Sequence, residues 1–237
     1  MKQSNNTNIH ITYDPTLITE VSLAHFTHKY WEDKRAIVGS AKGRGVTWFV
    51  QLDGLQGALR HYQRGGLFGR LIKDHYFFWG WSKTRSLQEF SLLHFLFQKG
   101  VNVPRPIAAI AIKKRLSYQA DLITEKINNA QDLVSILEGT TLDAHIYKKI
   151  GEEIAKMHQA QVNHSDLNIH NILIDNNQKV WIIDFDKCHK QQGDAWKSDN
   201  LKRLKRSFLK EQKKRNILWS EIDWRQLKES YLCTSIT

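Results

Sequence analysis

Two carboxylates and an amide lie at a spacing that suits the transfer of a phosphoryl group. Asp166 lies in the run His164-Ser165-Asp166-Leu167, Asn171 follows it, and Asp184 ends a later apolar stretch. A positioned carboxylate can accept the proton of an alcohol acceptor. An amide oxygen and a second carboxylate are ligands that Mg²⁺ accepts alongside phosphate oxygens. The sequence therefore predicts Asp166 as a catalytic base and Asn171 and Asp184 as ligands of Mg²⁺ on ATP.

The segment around Asp166 fits the pattern His-x-Asp-Leu-x-x-x-Asn, which kinases carry in their catalytic loop. The apolar runs Ile172–Ile174 and Val180–Ile183 flank a polar stretch and predict a β-hairpin. Such a hairpin would bring Asn171 and Asp184 close together and leave Asp166 at the rim. A hairpin whose ends are merely polar is the alternative, which a lone His-x-Asp would favour.

Upstream segments supply candidates for binding the nucleotide. Gly43 and Gly45 form a Gly-x-Gly turn of the kind that covers ATP phosphates, although Trp48 stands where a third glycine would be. An ordinary hairpin turn is the alternative. Arg60 takes the place of the kinase strand lysine in Ala-x-Lys, and Arg64 is a second candidate for phosphate or substrate. Each arginine could instead be a solvated strand residue.

A helix is predicted over residues 86–98, because its apolar residues recur with helical spacing. Glu89 falls on the inward side of this helix, and we expect it to pair with Arg60. Since Ser86-x-x-Glu89 also fits a capping box, a purely local role for Glu89 is the alternative.

The order of elements predicts a two-lobed, protein-kinase-like α+β fold. Residues 1–125 would form an ATP-binding lobe built mainly of antiparallel sheet, and residues 126–237 a mainly helical catalytic lobe. A strand near the boundary runs into a connector. We place Glu125 and Ile127 at this hinge, where backbone groups of kinases meet adenine.

The flanking segments have simpler patterns. Residues 1–8 are polar and expected to be frayed, Ile9–Tyr13 predicts an edge strand, and Leu17–Trp31 predicts a helix and a surface segment. A helix ending near Met157 is expected beneath the catalytic loop. Three histidines recur at a spacing that suits no zinc set, which indicates structural roles. They are His158, His164 and His170.

The chain is strongly basic, with a formal net charge of +11 over 237 residues. Such an excess implies an anionic partner, which could be nucleic acid, a membrane surface or a phosphorylated or carboxylated substrate. Much of the charge lies on an amphipathic helix predicted over residues 196–215. The two distant cysteines suggest no disulfide framework, which fits a reducing cytoplasm. Without an apolar stretch of about 20 residues or a secretion signal, any membrane association is expected at the surface.

These residues together resemble the 3-deoxy-D-manno-octulosonic acid (Kdo) kinase family, whose members phosphorylate a sugar of the lipopolysaccharide core. The strings Ala58–Tyr62 and Asp184–Cys188 point to this family over other kinases. The resemblance implies ATP-dependent phosphorylation of the 4-hydroxyl of Kdo on a lipid A precursor, at the cytoplasmic face of a Gram-negative inner membrane. The segments that carry it are 39–45, 58–62, 64–67, 118–121, 124–127, 167–173, 184–188 and 200–208.

Three other functions compete with this interpretation. A kinase of the aminoglycoside or choline type would carry acidic pockets for cationic substrates, which a basic chain does not favour. A kinase-like scaffold without activity is supported by Arg60 and Trp48 but not by the three polar residues of the loop and hairpin. A nucleic-acid binder would explain only the charge. Arg60, Asn168, Asp186 and the missing peptide-docking segment depart from protein kinases, so a protein substrate is not expected. Nucleic acid is not expected either, because it leaves the acidic residues unexplained.

Overall fold

The computed structural model describes residues 1–43, 45–64 and 74–236, which fall into two units. The N-terminal unit comprises Met1–His94 and Arg105–Lys126. The C-terminal unit comprises Phe95–Pro104 and the chain from Ile127 onward. Arg44 and residues 65–73 lie outside the described residues, and with them most of the predicted turn after Arg64.

An antiparallel sheet dominates the N-terminal unit. Its strands run in the order β1-β2-β7-β8-β5-β4-β3, with β6 paired to β8. The central strand β7 is buried on both faces and is accordingly a continuous apolar run. The strands are β1 (Lys2–Asn5), β2 (Ile9–Tyr13), β3 (Ile37–Lys42), β4 (Val46–Leu52), β5 (Leu55–His61), β6 (Tyr76–Phe77), β7 (Pro106–Lys114) and β8 (Ser117–Glu125).

The first thirty residues differ from the sequence prediction. Residues 2–5 are not frayed, because they form β1 and pair with β2 through backbone hydrogen bonds that need no apolar pattern. Strand β2 also pairs with β7, so it is not an edge strand. Leu17–Trp31 holds a 3₁₀ turn at Leu23–Phe26 and the short helix α1 (His28–Asp33) instead of one helix. Thr27 separates the two, since its backbone is extended and its hydroxyl closes the turn on the Ala24 carbonyl.

Helix α2 (Arg85–Gln98) confirms the predicted helix. Its side chains Phe90, Leu93 and Leu96 are almost fully buried. Ser86 lies inside the helix, and its hydroxyl donates to the Ile110 carbonyl of β7 at 2.7 Å. The capping-box alternative is therefore wrong, and Ser86 ties the helix to the sheet.

Helices dominate the C-terminal unit, which confirms the predicted α+β character. Helices α4 and α6 approach so closely that a Cβ at Gly151 would overlap the Leu227 carbonyl oxygen. Small ladders order the loops between helices, β12-β11-β9 in one sheet and β10-β13 in another. The elements are β9 (Ala130–Asp132), α3 (Leu133–Gly139), α4 (Ala144–Gln159), β10 (Val162–Asn163), β11 (Ile172–Asp175), β12 (Val180–Ile182), β13 (His189–Lys190), α5 (Ala195–Arg215) and α6 (Glu221–Ile236). No helix in the described ranges is long and apolar enough to cross a bilayer.

Candidate active site

The predicted hairpin is present as β11 and β12. Ile172 pairs with Ile182, and the Ile183 N–H donates to the Asn171 carbonyl at 3.0 Å. The polar turn closes on the Asp175 carboxylate, which accepts two backbone N–H groups of the turn. Asn171 therefore lies opposite Ile183, the first residue after β12, and Asp184 is the next residue in the chain.

The backbone around Asp166 is held by two amide side chains. Asn168 and Asn171 both donate through Nδ2 to the Asp166 carbonyl, at 2.8 and 3.0 Å. Because the Nδ2 of Asn171 is used in this way, its Oδ1 is the atom left to meet a cation. The Asp166 carboxylate itself is about half exposed, at 49%. A carboxylate on a fixed backbone and open to solvent can reach an incoming hydroxyl.

His164 joins this loop to the end of the hairpin. Its ring is fully buried, with Nε2 3.1 Å from the Ile183 carbonyl and Nδ1 accepting the Asp166 N–H at 3.3 Å. These partners require a neutral ring protonated on Nε2. Burial lowers the pKa of His164, which is consistent with that form. The predicted structural role of His164 is thus confirmed, and no metal-binding cluster of histidine, cysteine or acidic residues occurs within the described ranges.

Asp184 adopts a left-handed backbone with φ of 62°. Residues other than glycine seldom adopt this conformation, and backbone strain of this kind concentrates at functional sites. The next residue, Phe185, is buried and lies 4.8 Å from the His164 ring. The strained turn therefore follows β12 directly and is held in place by a packed aromatic side chain.

Helix α5 braces the catalytic loop with a stripe of polar side chains. Asn200 accepts the His164 N–H through Oδ1 at 3.2 Å, and Ser207 accepts the Ile169 N–H at 3.1 Å. The stripe recurs every three or four residues, so it occupies one face of the helix. Its members are Asn200, Arg203, Ser207 and Glu211.

Arg203 is one cation of the basic surface of α5, and the sequence does not show that it contacts the catalytic loop. Its Nη1 lies 3.5 Å from the Asp166 carboxylate. Both side chains are about half exposed. Glu211, one further member of the stripe, lies 3.5 Å from His170. The polar spacing along α5 was a signal in the sequence, but only the fold shows that it faces the loop.

His158 anchors the other side of Asn200. Its Nδ1 lies 2.9 Å from the Tyr231 hydroxyl and its Nε2 3.3 Å from Asn200 Oδ1, in a buried position between α4, α5 and α6. Burial lowers the pKa of His158 to about 4 from 6.5. The predicted structural role of His158 is confirmed.

The low pKa of His158 predicts a pH-dependent stability. Between pH 6.5 and about 4, His158 binds a proton in the unfolded chain but stays neutral in the native state. The free energy of unfolding therefore falls as the pH falls. The full contribution is about 3 kcal/mol. His158→Gln should flatten the dependence in this window, as measured by urea unfolding from pH 7 to pH 4. The exposed His145→Gln is the control and should keep the slope; an unchanged slope in His158→Gln would contradict the assignment.

In the N-terminal unit, the predicted pair of Arg60 and Glu89 is confirmed. Arg60 Nη2 lies 2.5 Å from Glu89 Oε2, and the Tyr62 hydroxyl donates to the same oxygen at 2.5 Å. Glu89 is only 4% exposed. The guanidinium also lies over the Tyr62 ring, 4.8 Å from its centroid. Sequence reasoning missed Tyr62, although it stands two residues after Arg60 on the same strand path.

A double-mutant cycle on Arg60→Ala and Glu89→Ala should show a coupling energy above about 0.5 kcal/mol, because a buried carboxylate loses a charged partner. The measurement is the free energy of unfolding of the four proteins in urea. Lys202 and Asp199 form a matched control pair that is exposed on α5, and their cycle should be close to additive. Additivity at Arg60 and Glu89 would mean that their contact contributes nothing.

The other predicted nucleotide contacts lie in the same unit, with the exception of Ile127. Gly43 donates to the Gly45 carbonyl at 2.8 Å, in the turn between β3 and β4. The N–H of Glu125, at the end of β8, donates to the Arg105 carbonyl at 2.7 Å, whereas Ile127 begins the C-terminal unit. Arg64 donates to the His75 carbonyl through Nε at 2.8 Å. Their expected contacts with ATP stay predictions.

A catalytic-type loop, a hairpin ending in a strained aspartate and a strand arginine paired with a helix glutamate define the class of kinase-like phosphotransferases. Comparison with known proteins narrows this class. The sequence model of the lipopolysaccharide kinase (Kdo/WaaP) family matches residues 28–231, and the chain belongs to that family. The predicted kinase-like fold and enzyme class are thereby confirmed, and membership of a kinase family implies the use of ATP.

Curated relatives named 3-deoxy-D-manno-octulosonic acid kinase cover nearly the whole chain. The relative from Vibrio vulnificus strain YJ016 is 59% identical over 93% of this chain and 94% of its own length. The relative from Vibrio parahaemolyticus is 57% identical over 100% and 99%. The relative from Haemophilus influenzae is 46% identical over 97% and 98%. The predicted resemblance to the Kdo kinases is confirmed.

Proposed function

We propose that the protein transfers a phosphoryl group from ATP to the 4-hydroxyl of Kdo on a lipid A precursor, in the synthesis of the lipopolysaccharide inner core. Family membership and the names of the relatives support the substrate class. The observation that carries the proposal is the arrangement of Asp166, Asn171 and Asp184 at one loop and hairpin end. In this arrangement Asp166 orients the acceptor hydroxyl and accepts its proton.

The donor set at the hairpin fits Mg²⁺. Asn171 presents Oδ1 because its Nδ2 is engaged with the Asp166 carbonyl, and Asp184 adds a carboxylate one residue after Ile183, whose N–H donates to the Asn171 carbonyl. Mg²⁺ takes few protein oxygens and leaves its other positions to phosphate and water. When bound, the ion offsets the negative charge of the ATP phosphates.

Residues of the N-terminal unit, together with Ile127 at the start of the C-terminal unit, supply the remaining nucleotide contacts in this proposal. Arg60 contacts the ATP phosphates, and Glu89 fixes the direction of its guanidinium. Backbone N–H groups near Gly43 and Gly45 cover the phosphates. Backbone groups near Glu125 and Ile127 meet adenine. Residues 1–125 thus act as the ATP-binding lobe and residues 126–237 as the catalytic lobe.

Direct phosphorylation is the test of the function. Purified protein, ATP and Mg²⁺ should add the mass of one phosphate to a Kdo-lipid A precursor, and fragmentation should place it on O4 of the sugar. Aminoglycoside and choline serve as competing acceptors. Transfer to one of these instead of the Kdo substrate would overturn the proposal, and no transfer to any acceptor would favour the inactive scaffold.

We also propose that Arg203 recognises the carboxylate of the sugar acid. Kdo carries its carboxylate on ring carbon C2, and only C3 lies between C2 and the acceptor position C4. Arg203 lies 3.5 Å from Asp166, so a sugar whose hydroxyl meets Asp166 can place its carboxylate near the guanidinium. The guanidinium fork suits a carboxylate.

Arg203→Ala should raise KM for the Kdo substrate by roughly 10- to 100-fold, which is the worth of a hydrogen bond to a charged group. KM for ATP should change little. The matched control is the neighbouring Lys202→Ala, which removes a cation that is paired with Asp199 on the exposed face. If both substitutions raised KM for the Kdo substrate equally, Arg203 would contribute only general electrostatic attraction and would not recognise the carboxylate.

We propose, finally, that the protein acts as a peripheral protein at the cytoplasmic face of the inner membrane, because its proposed substrate is lipid-linked. The basic helix α5 is one candidate for this contact, because much of the positive charge of the chain lies on it. Several of its cations have acidic partners, however: Lys202 with Asp199, Arg203 with Asp166, and Lys205 with Glu221. Helix α5 therefore presents less uncompensated charge than its sequence indicates.

A further inference from the structure

Three large apolar side chains are exposed together where β6 meets the β7–β8 turn. Trp79 is 77% exposed, Leu116 72% and Phe77 53%. The Phe77 and Trp79 rings lie 4.8 Å apart, and the Phe78 N–H donates to the Leu116 carbonyl at 2.9 Å. We name Phe77, Trp79 and Leu116 the aromatic patch. Exposed apolar side chains are ordinary when scattered singly but indicate an interaction surface when they cluster.

A packed inner layer holds the aromatic patch in place. Phe78 points to the other side of the strand from Phe77 and contacts the rings of Trp81 and Tyr118 at 4.9 and 6.3 Å. Tyr118 is buried, and its hydroxyl accepts the Arg85 N–H at 3.0 Å. Because the inner rings fill the space against the sheet, the outer side chains stay in solvent.

The charged side chains on the turn beside the aromatic patch are basic, and the nearby Asp74, three residues before Phe77, is paired with His61 and Gln119. Residues 75–88 and 111–120 contain no aspartate or glutamate. Lys113 lies over the Phe78 ring, 4.8 Å from its centroid, which places a cation next to the aromatic side chains. The exposed turn Lys114-Arg115-Leu116 puts two more cations directly beside Leu116. Lys83 adds a further cation, four residues after Trp79 in the sequence.

We infer that the aromatic patch inserts into the headgroup region of an anionic lipid bilayer. Tryptophan and phenylalanine favour the membrane interface, where an apolar ring can be buried while the backbone stays hydrated. Lysine and arginine at the same level attract anionic headgroups. Helix α5 offers cations but no comparable exposed aromatic cluster among its described residues. The inference does not depend on the proposed kinase reaction, because membrane binding needs neither ATP nor the sugar.

The test is sedimentation with vesicles of phosphatidylcholine, with and without phosphatidylglycerol, in the absence of ATP. The wild type should bind the anionic vesicles more tightly than the neutral ones. Phe77→Ala with Trp79→Ala should weaken binding by roughly tenfold or more, because two rings lose their burial. Replacing Lys113, Lys114 and Arg115 by glutamine should weaken it by about fivefold per residue at low salt and little at high salt.

Matched variants elsewhere separate this surface from general effects. Ile222→Ala removes an apolar side chain that is 62% exposed on α6, and Lys213→Gln with Lys214→Gln removes two cations of α5. Both should bind vesicles as the wild type does. If only the α5 variant lost binding, α5 would be the surface that contacts the membrane, and the inference would be overturned. Unchanged binding in the variants of the aromatic patch would also overturn it, and would leave a protein partner as its occupant.

Insertion can be distinguished from adsorption by fluorescence. Lipids brominated near the headgroup end of the acyl chain should quench part of the tryptophan emission of the bound wild type. Trp79→Phe keeps an apolar ring and should still sediment with vesicles, but most of this quenching should disappear. Equal quenching in wild type and Trp79→Phe would show that Trp79 stays outside the bilayer and would overturn the inference.

Discussion

Asp166→Asn is expected to lower kcat by roughly 10²- to 10⁴-fold, the usual contribution of a positioned general base. The loop should survive the change, because His164, Asn168 and Asn171 all bind the Asp166 backbone and not its carboxylate. ATP binding should therefore persist. Steady-state turnover with the Kdo substrate, combined with an ATP titration, measures both effects.

The control for Asp166→Asn is Asp199→Asn, which neutralises an exposed carboxylate on α5 that is paired only with Lys202 in the described structure. Its kcat should match that of the wild type. Turnover of Asp166→Asn within a few-fold of wild type would remove Asp166 from the chemistry. A loss of ATP binding would instead mean that the carboxylate supports the nucleotide site.

Asp184→Asn is expected to weaken the affinity for Mg²⁺ in the presence of ATP by at least about tenfold. Loss of a residue that merely supports a metal ligand already costs 10- to 100-fold in many sites. Asparagine is the informative substitution because it tolerates the left-handed backbone that Asp184 adopts at φ 62°, whereas alanine would add strain there. The measurement is ATP affinity over a titration with Mg²⁺.

The metal-free measurement makes the result on Asp184 specific. Without Mg²⁺ the Asp184 carboxylate only repels the phosphates, so Asp184→Asn should bind ATP as well as the wild type or better. Equal Mg²⁺ dependence in both proteins would contradict the ligand role. Weaker binding at every Mg²⁺ concentration would point to damage of the turn itself, and the melting temperature would report that damage independently.

Local sequence signals predicted the elements that carry the site. Apolar runs predicted the hairpin, helical spacing predicted α2, and the likeness to the kinase Ala-x-Lys strand predicted the strand of Arg60; all three are present. The pair of Arg60 and Glu89 could be predicted because kinases place these residues in recognisable strand and helix contexts. Tyr62 could not, since its bond to Glu89 is a tertiary contact between a tyrosine and a residue 27 positions away.

The failures share a cause, which is that tertiary contacts outweigh local pattern. Residues 2–5 carry no apolar alternation and form a strand only because β2 offers backbone partners. Arg203 reads as one cation among many on a basic helix, and only the packed position of α5 places it beside Asp166. The same holds for the aromatic patch, because an aromatic run in the sequence does not reveal which rings are turned outward.

The hydrogen bonds from α5 to the catalytic loop have a consequence for folding during synthesis of the chain. The loop is synthesised before α5, yet Asn200 and Ser207 supply hydrogen bonds that fix its backbone at His164 and Ile169. A growing chain folds from its N-terminus as segments emerge from the ribosome. All residues of the loop motif can therefore be present in a nascent chain that still lacks the geometry for catalysis. We therefore expect the loop to reach its native geometry only after α5 has been synthesised and has docked against it.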